Sequence, residues 1–325
     1  MKILITGCAG FIGFSLCNKL LKETNYDVIG IDSLNREYDE GLKKDRMSIL
    51  KKYKKFSFFK IDISNFSLIK KNFLYHNYDY VIHLAAQAGV RKSIDNPDLY
   101  LQSNIIGHFN VLKASKLINV KHHIFASSSS VYGKSNKFPL DELDSTDLPA
   151  SFYAATKKTN EIVARSFAEI YKLPITGLRF FTVYGEYGRP DMAPYKFTKK
   201  IYNGETINLY NSGNLFRDFT YIDDVTSAIK KLIRKKPCNY KNNPPFRILN
   251  IGNGSTIKIS DFVKLIEKKL DIKAKIKKLP MQKGDVYKTH ANIKRLKKII
   301  SIKKHTSVDE GLSKFIKWYI ESRKN

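Results

Sequence analysis

The chain has 325 residues, 42% of them hydrophobic, and a formal net charge of +28. That length suits one large α/β domain or two domains, and the hydrophobic fraction excludes a disordered chain. Three cysteines (Cys8, Cys17, Cys238) without a CxxC spacing exclude a disulfide framework and a structural zinc site, and no metal is expected. They place the chain in a reducing compartment, read as the cytoplasm. Lysine contributes 47 of the 58 basic residues. Base readers favour the bidentate arginine fork, so the excess reads as solvated surface and no nucleic-acid partner is expected. No apolar run reaches the ~20 residues of a membrane span, so no membrane insertion is expected. The apolar stretch after Lys2 imitates a secretion signal, but Cys8 comes too early for a cleavage box.

Lys2–Thr6 reads as a short buried strand. Gly7-Cys8-Ala9-Gly10-Phe11-Ile12-Gly13 follows and opens a helix to about Leu21. Glycines in this strand–turn–helix context form a dinucleotide fingerprint. Gly7 permits the tight turn, Gly10 lets a pyrophosphate approach the backbone, and Gly13 lets the helix pack closely on the strand. The helix N-terminus, with Phe11 and Ile12, offers N–H groups and a positive dipole end to phosphates. The next strand, Asp27–Asp32, ends on an acid 19 residues after Gly13. A carboxylate there suits an adenosine ribose and favours NAD over NADP, although Arg36 could accommodate a 2′-phosphate.

Strand Phe56–Asp62 ends in Asp62-Ile63, suited to the adenine edge. Strand Tyr80–Ala86 ends in Leu84, Ala85 and Ala86. A helix follows Pro97 to about Leu117 with Asn104 near its start, and strand His123–Ser128 runs into further serines. Strands alternating with helices imply an α/β fold with a doubly wound parallel Rossmann sheet, its ligands beyond the strands' carboxyl ends. Asp62, Ile63, Leu84, Ala85, Ala86 and Asn104 are therefore expected to join the glycines and Asp32 around the cofactor. His83 reads as a packed core histidine. The Asn239–Pro245 stretch is the clearest loop.

Tyr153 and Lys157 lie four positions apart in a helical stretch from about Tyr153 to Tyr171, hence on one face. An ammonium beside a phenol stabilises the phenolate, so Lys157 is expected to lower the pKa of Tyr153 from its usual ~10 and prepare a general base. Tyr-x-x-x-Lys alone is common by chance. It gains meaning from the dinucleotide fold and the serine run Ser127–Ser130, where a hydroxyl can share the substrate proton.

Gly7-x-x-Gly10-x-x-Gly13, the serine strand and Tyr153-x-x-x-Lys157 resemble the extended short-chain dehydrogenase/reductases that act on nucleotide sugars. The resemblance narrows to the UDP-glucuronate 4-epimerases. It rests on Asp32-Ser33-Leu34-Asn35 with Tyr38-Asp39, His83–Arg91, Phe181–Gly185, Gly188–Ala193, Arg217–Asp224 and Gly284-Asp285-Val286. Family members usually carry Pro before that last Gly-Asp, where this chain has Lys283.

The resemblance implies that Ser128 bonds the sugar C4 hydroxyl, that Tyr153 is the base, and that Lys157 also bonds the nicotinamide ribose. It implies that Arg217 holds the UDP pyrophosphate, with Asp285 and Gln282 near the uridine ribose and Arg189 in the substrate pocket. A local ion pair with Asp218 is the plain alternative for Arg217. Ser129, Ser130 and Thr182 are expected to hold a uronate carboxylate through a transient 4-keto stage. The chain is accordingly expected to be an NAD-dependent isomerase and a homodimer. UDP-glucose or UDP-N-acetylhexosamine 4-epimerase stays open as an alternative, as do a dinucleotide sensor and a nucleic-acid-binding protein. Residues 1–176, with 218–231 returning, are expected to form the NAD-binding domain, and 177–325 a smaller α/β domain for the UDP-sugar.

Overall fold

A computed structural model describes residues 1–35, 40–239, 243–282, 285–302 and 304–323. Arg36, Tyr38, Asp39, residues 240–242 of the expected loop, Lys283 and Gly284 lie outside the described residues.

Strands β1 (Lys2–Thr6), β2 (Asp27–Asp32), β3 (Phe56–Lys60), β4 (Tyr80–His83), β5 (His122–Ser128) and β6 (Ile175–Phe180) alternate with helices. The later strands are β7 (Thr182–Tyr184), β8 (Thr206–Tyr210), β9 (Phe216–Arg217), β10 (Phe219–Tyr221), β11 (Phe246–Ile251), β12 (Ile257–Lys258) and β13 (Lys275–Leu279). Seven strands form one parallel sheet in the order β11-β6-β5-β4-β1-β2-β3. The winding reverses between β1 and β4, which opens a crevice at their carboxyl ends. β1 and β4 are buried, as a sheet covered by helices on both faces requires.

β3 and β4 stop earlier than expected, at Lys60 and His83, where their pairing with β2 and β1 ends. Thr6 is the last residue of β1 opposite β4, and Asp32 the last of β2 opposite β3. Leu84–Ala86 and Asp62-Ile63 therefore belong to loops at the crevice. The helix expected from Pro97 to Leu117 is interrupted. Pro97–Tyr100 is α-helical, Leu101–Ile106 widens into a π-helix, and Gly107–Leu117 resumes the α-helix. π segments commonly mark functional positions, and this one carries Asn104.

The expected domain boundary after residue 176 falls inside β6, a strand paired on both sides. β11 also returns to the sheet, beyond the expected 218–231 segment. Helix Ile222–Ile233 packs on helix Phe11–Glu23, with Lys19–Asp223 and Lys230–Glu23 pairs of 2.8 Å. Parallel strands β8 and β13 and helices Ala193–Tyr202, Ile259–Leu270 and Val308–Glu321 make up the smaller α/β part. One hydrophobic core joins both parts, from Ile3 and Phe14 to Phe262 and Phe315. No helix among the described residues is long and apolar enough to cross a membrane.

Candidate active site

β1 delivers the chain into the glycine loop. Gly7 has φ +75°, and a side chain there would meet the backbone at Ala85. A Cβ on Gly13 would collide with the carbonyl of Gly7. Gly10 caps helix Phe11–Glu23 without a side-chain hydrogen bond, so no capping side chain covers the first-turn N–H groups of Phe11, Ile12 and Gly13. Asp32 receives hydrogen bonds from Ala9 N (3.0 Å) and Leu34 N (2.8 Å), which orient its carboxylate at the end of β2.

These groups line a cavity of about 650 Å³ that also takes in Asp62, Ile63, Leu84, Ala85 and Ala86. The cavity continues to Ser128, Tyr153 and Lys157. A dinucleotide fits this donor set: close backbone, open helix N-terminus, and an acid one strand away. Asn104 corrects the expectation. It is buried behind the cleft, where its amide bonds Gln87 N (2.7 Å), Gln87 O (3.0 Å) and Thr156 Oγ1 (3.1 Å). It ties the loop after β4 to the helix that carries Tyr153, and so positions the site from behind.

That helix spans Phe152–Tyr171 and is capped by Ser151, whose Oγ accepts from Ala154 N at 3.1 Å. Tyr153 and Lys157 both face the cleft. Lys157 donates to Ala126 O on β5 at 2.9 Å, and its Nζ lies 6.0 Å from the centre of the Tyr153 ring. Burial brings the Lys157 ammonium down to about 8. The pKa of Tyr153 moves opposite to the expectation. Burial raises it, while a hydrogen bond from Ser128 and the charge of Arg189 pull it partly back. Four-residue spacing shares the face, but desolvation outweighs the Ser128 hydrogen bond and the Arg189 charge.

Ser128 caps the turn Ser129–Tyr132, with Ser130 N at 3.1 Å, and its Oγ donates to Ser130 Oγ at 3.1 Å. Ser127 is structural. It donates to Glu161 at 2.6 Å, and Glu161 grips the buried Arg179 through contacts of 2.9 and 2.8 Å. Two positioning residues had no sequence signal. Ser93 accepts the Tyr153 amide at 3.0 Å, and Thr156 holds Asn104. His83 is a core residue, bonded to Thr6 Oγ1 at 2.7 Å and packed on His108.

A second cavity of about 160 Å³ adjoins the first. Ser129, Ser130, Thr182, Arg217 and Asp285 line it, together with Lys288. Arg217 donates to Asp285 at 2.6 Å and to the carbonyls of Phe216 (2.9 Å) and Tyr287 (3.2 Å). The alternative pair with Asp218 does not form. Asp218 is fully buried and accepts the amides of Asn253, Gly254 and Ala291. Arg189 faces the larger cavity, held by Asp191 at 2.9 and 2.6 Å and by the carbonyl of Ala88. Gln282 is not brought into the lining of either cavity among the described residues. Its backbone carbonyl accepts Asp285 N at 3.3 Å.

A model of the NAD dependent epimerase/dehydratase family matches residues 3–252. Protein CapI of Staphylococcus aureus is 46% identical over 332 residues, covering 99% of each chain. A probable UDP-glucuronate 4-epimerase of Rhizobium meliloti is 40% identical, covering 98% of this chain and 97% of that one. The structure of a UDP-glucuronic acid 4-epimerase from Bacillus cereus, in complex with UDP-glucuronic acid and NAD, is similar at a TM-score of 0.90. It shares 32% identity and covers 99% of this chain and 100% of its own. Sequence and fold agree over nearly the whole length: the chain belongs to the NAD dependent epimerase/dehydratase family.

Proposed function

We propose that this chain interconverts UDP-glucuronate and UDP-galacturonate by NAD-dependent inversion at C4. One juxtaposition carries the reading. Ser128, Tyr153 and Lys157 end the dinucleotide cleft where the hydroxyls of Ser129, Ser130 and Thr182 begin a polar pocket closed by Arg217 and Asp285. The names of the Rhizobium and Bacillus relatives support it.

Gly7, Gly10, Gly13 and Asp32 would hold the dinucleotide, with Lys157 beside its nicotinamide ribose. NAD, when bound, supplies the reversible electron acceptor that oxidation at C4 needs and a positive charge near Tyr153. Tyr153 takes the C4 hydroxyl proton on its phenol oxygen, which Ser128 and the charge of Arg189 stabilise as the phenolate. Arg217 and Asp285 grip the nucleotide so that the sugar can turn without leaving.

The oxidised sugar is a 4-ketone β to its C6 carboxylate. Such an acid loses CO₂ when the breaking bond aligns with the carbonyl. Short, directional hydrogen bonds from Ser129, Ser130 and Thr182 hold the carboxylate out of that alignment. The ketone then presents its other face, and Tyr153 returns the proton.

A second copy of the chain is the partner. Phe109, Ile162, Ile170 and Tyr171 are large, apolar and at least 40% exposed on two adjacent helices, Gly107–Leu117 and Phe152–Tyr171. Phe109 and Phe167 bring those helices together at 5.9 Å. Large exposed apolar side chains on paired helices suit an interface. Light scattering on the eluted protein should give a mass near twice 37.4 kDa. The free thiols Cys8, Cys17 and Cys238 suit the cytoplasm.

Separate incubations with UDP-glucuronate, UDP-glucose and UDP-N-acetylglucosamine, followed by proton NMR, test the activity. Conversion of UDP-glucuronate alone to UDP-galacturonate is expected. Turnover of a neutral sugar would move the assignment to a sister epimerase, and a UDP-pentose product to a decarboxylase.

A further inference from the structure

The charged side chains that line the smaller cavity are Arg217, Asp285 and Lys288. Two of them cancel. Arg217 meets Asp285 at 2.6 Å, and its Nη1 is directed at the carbonyls of Phe216 and Tyr287. Lys288 has no carboxylate partner among the described residues. It is half-buried, and its Nζ stands 5.0 Å from the centre of the Phe138 ring. An aromatic face attracts a cation but leaves its charge in place.

The base of this lysine is fixed. Residues 287–289 run beside β9, with Tyr287 O accepting Phe216 N at 3.0 Å and Thr289 N donating to Phe216 O at 3.0 Å. Lys288 is bridged to Phe216, and Thr289 Oγ1 accepts Asp218 N at 3.1 Å. Arg217 and Lys288 therefore reach the cavity from paired segments. Above that base, the ammonium is a compact charge on a flexible stem with three rotatable donors.

A sugar-linked diphosphate carries a negative charge on each phosphate. The Arg217–Asp285 pair offers it hydrogens but no net charge, and the hydroxyls of Ser129, Ser130 and Thr182 are neutral. Unlike charges attract more strongly where protein displaces water. Lys288 alone leaves the lining positive. It shares its segment with Asp285 and its bridge with the strand of Arg217, whereas the hydroxyls come from other elements.

We infer that Lys288 recognises the charge of the substrate's diphosphate, while Arg217 recognises its shape. The inference rests on the placement of a UDP-sugar in the smaller cavity. The diphosphate is the part of the substrate that is the same in both epimers and in the ketone. A cation placed there holds all three alike while the sugar turns.

The test is calorimetry on the NAD-loaded wild type, Lys288→Gln and Lys288→Arg, titrated with UDP and with uridine. UDP is expected to bind Lys288→Gln about tenfold more weakly, as for loss of a charge-assisted contact, with uridine within about twofold of the wild type. Lys288→Arg keeps the charge and should bind UDP within about threefold of the wild type. Added salt should weaken UDP binding more steeply in the wild type than in Lys288→Gln, and equal slopes overturn the inference. Equal weakening of UDP and uridine marks a packing role and also overturns it. So does an unchanged Kd for UDP, even where UDP-glucuronate binds more weakly, for the lysine would then serve the carboxylate.

Should Lys288→Gln fail to fold, Lys288→Met keeps an apolar stem and gives the same comparison. The substrate assignment fails separately. A wild type that binds UDP yet leaves UDP-glucuronate unconverted removes the uronate and keeps Lys288, and one that binds no UDP removes the nucleotide from the cavity.

Discussion

At the proposed cofactor end, the groups that line the cavity are largely main chain: the loop at Gly7–Gly13, the helix N-terminus behind Gly10, and the loop after β4. At the sugar end they are side chains gathered from distant segments, namely Ser129 and Ser130 after β5, Thr182 on β7, Arg217 on β9 and Asp285. Backbone recognition is fixed by the path of the chain and changes little when side chains change. Recognition by gathered side chains can be altered one residue at a time. On the proposed reading, cofactor retention falls to the first end and substrate choice to the second.

Tyr153→Phe should break the chemistry and spare both ends. We expect kcat to fall about 10³-fold, within the range for loss of a general base, with NAD retained after gel filtration. Arg217→Ala should cripple the sugar end alone. Loss of a charge-assisted contact is expected to raise the Kd for UDP about 100-fold by calorimetry, with NAD content unchanged.

The cofactor end also rests on buried neutral histidines. Burial holds His123 at about 3, below its ordinary 6.5. The unfolded chain gains a proton as pH falls through 6.5 and the folded chain does not, so stability present above 6.5 is lost toward pH 3. His123→Gln should lessen the fall in urea stability between pH 7 and 5 by about 2 kcal/mol. The smallest effect sharpens the comparison most. Thr182→Val should raise the KM for UDP-glucuronate about tenfold, the value of one hydrogen bond to a charge, and let UDP-pentose appear by NMR. Unchanged product purity would remove Thr182 from the carboxylate's grip.

Much of the cofactor end was legible in the sequence because its determinants are local. A glycine turn between a strand and a helix, and an acid closing the next strand, need no knowledge of distant contacts. Tyr153 and Lys157 were legible for the same reason, since helical spacing places them on one face. Depth was not legible. Spacing does not report burial, and burial reverses the expected shift at Tyr153. Nor does it report what a polar group has already spent: Asn104 uses both amide hydrogens on Gln87 O and Thr156 Oγ1, and its oxygen accepts from Gln87 N. Asp218 neighbours Arg217 in the chain, yet its carboxylate turns inward to three amides while the guanidinium turns to Asp285. Strand ends depend on partners, and β3 and β4 stop where their pairing with β2 and β1 ends.

The way Arg217 is held bears on inhibitor chemistry. A guanidinium carries five N–H hydrogens. Two on Nη1 are directed at the carbonyls of Phe216 and Tyr287, and one on Nη2 at Asp285. Those bonds leave one hydrogen on Nε and one on Nη2, which on the proposed reading are the two offered to a ligand. A diphosphate mimic with two acceptors in the plane of the guanidinium can take both, while a surrogate offering a single amide carbonyl leaves one bare.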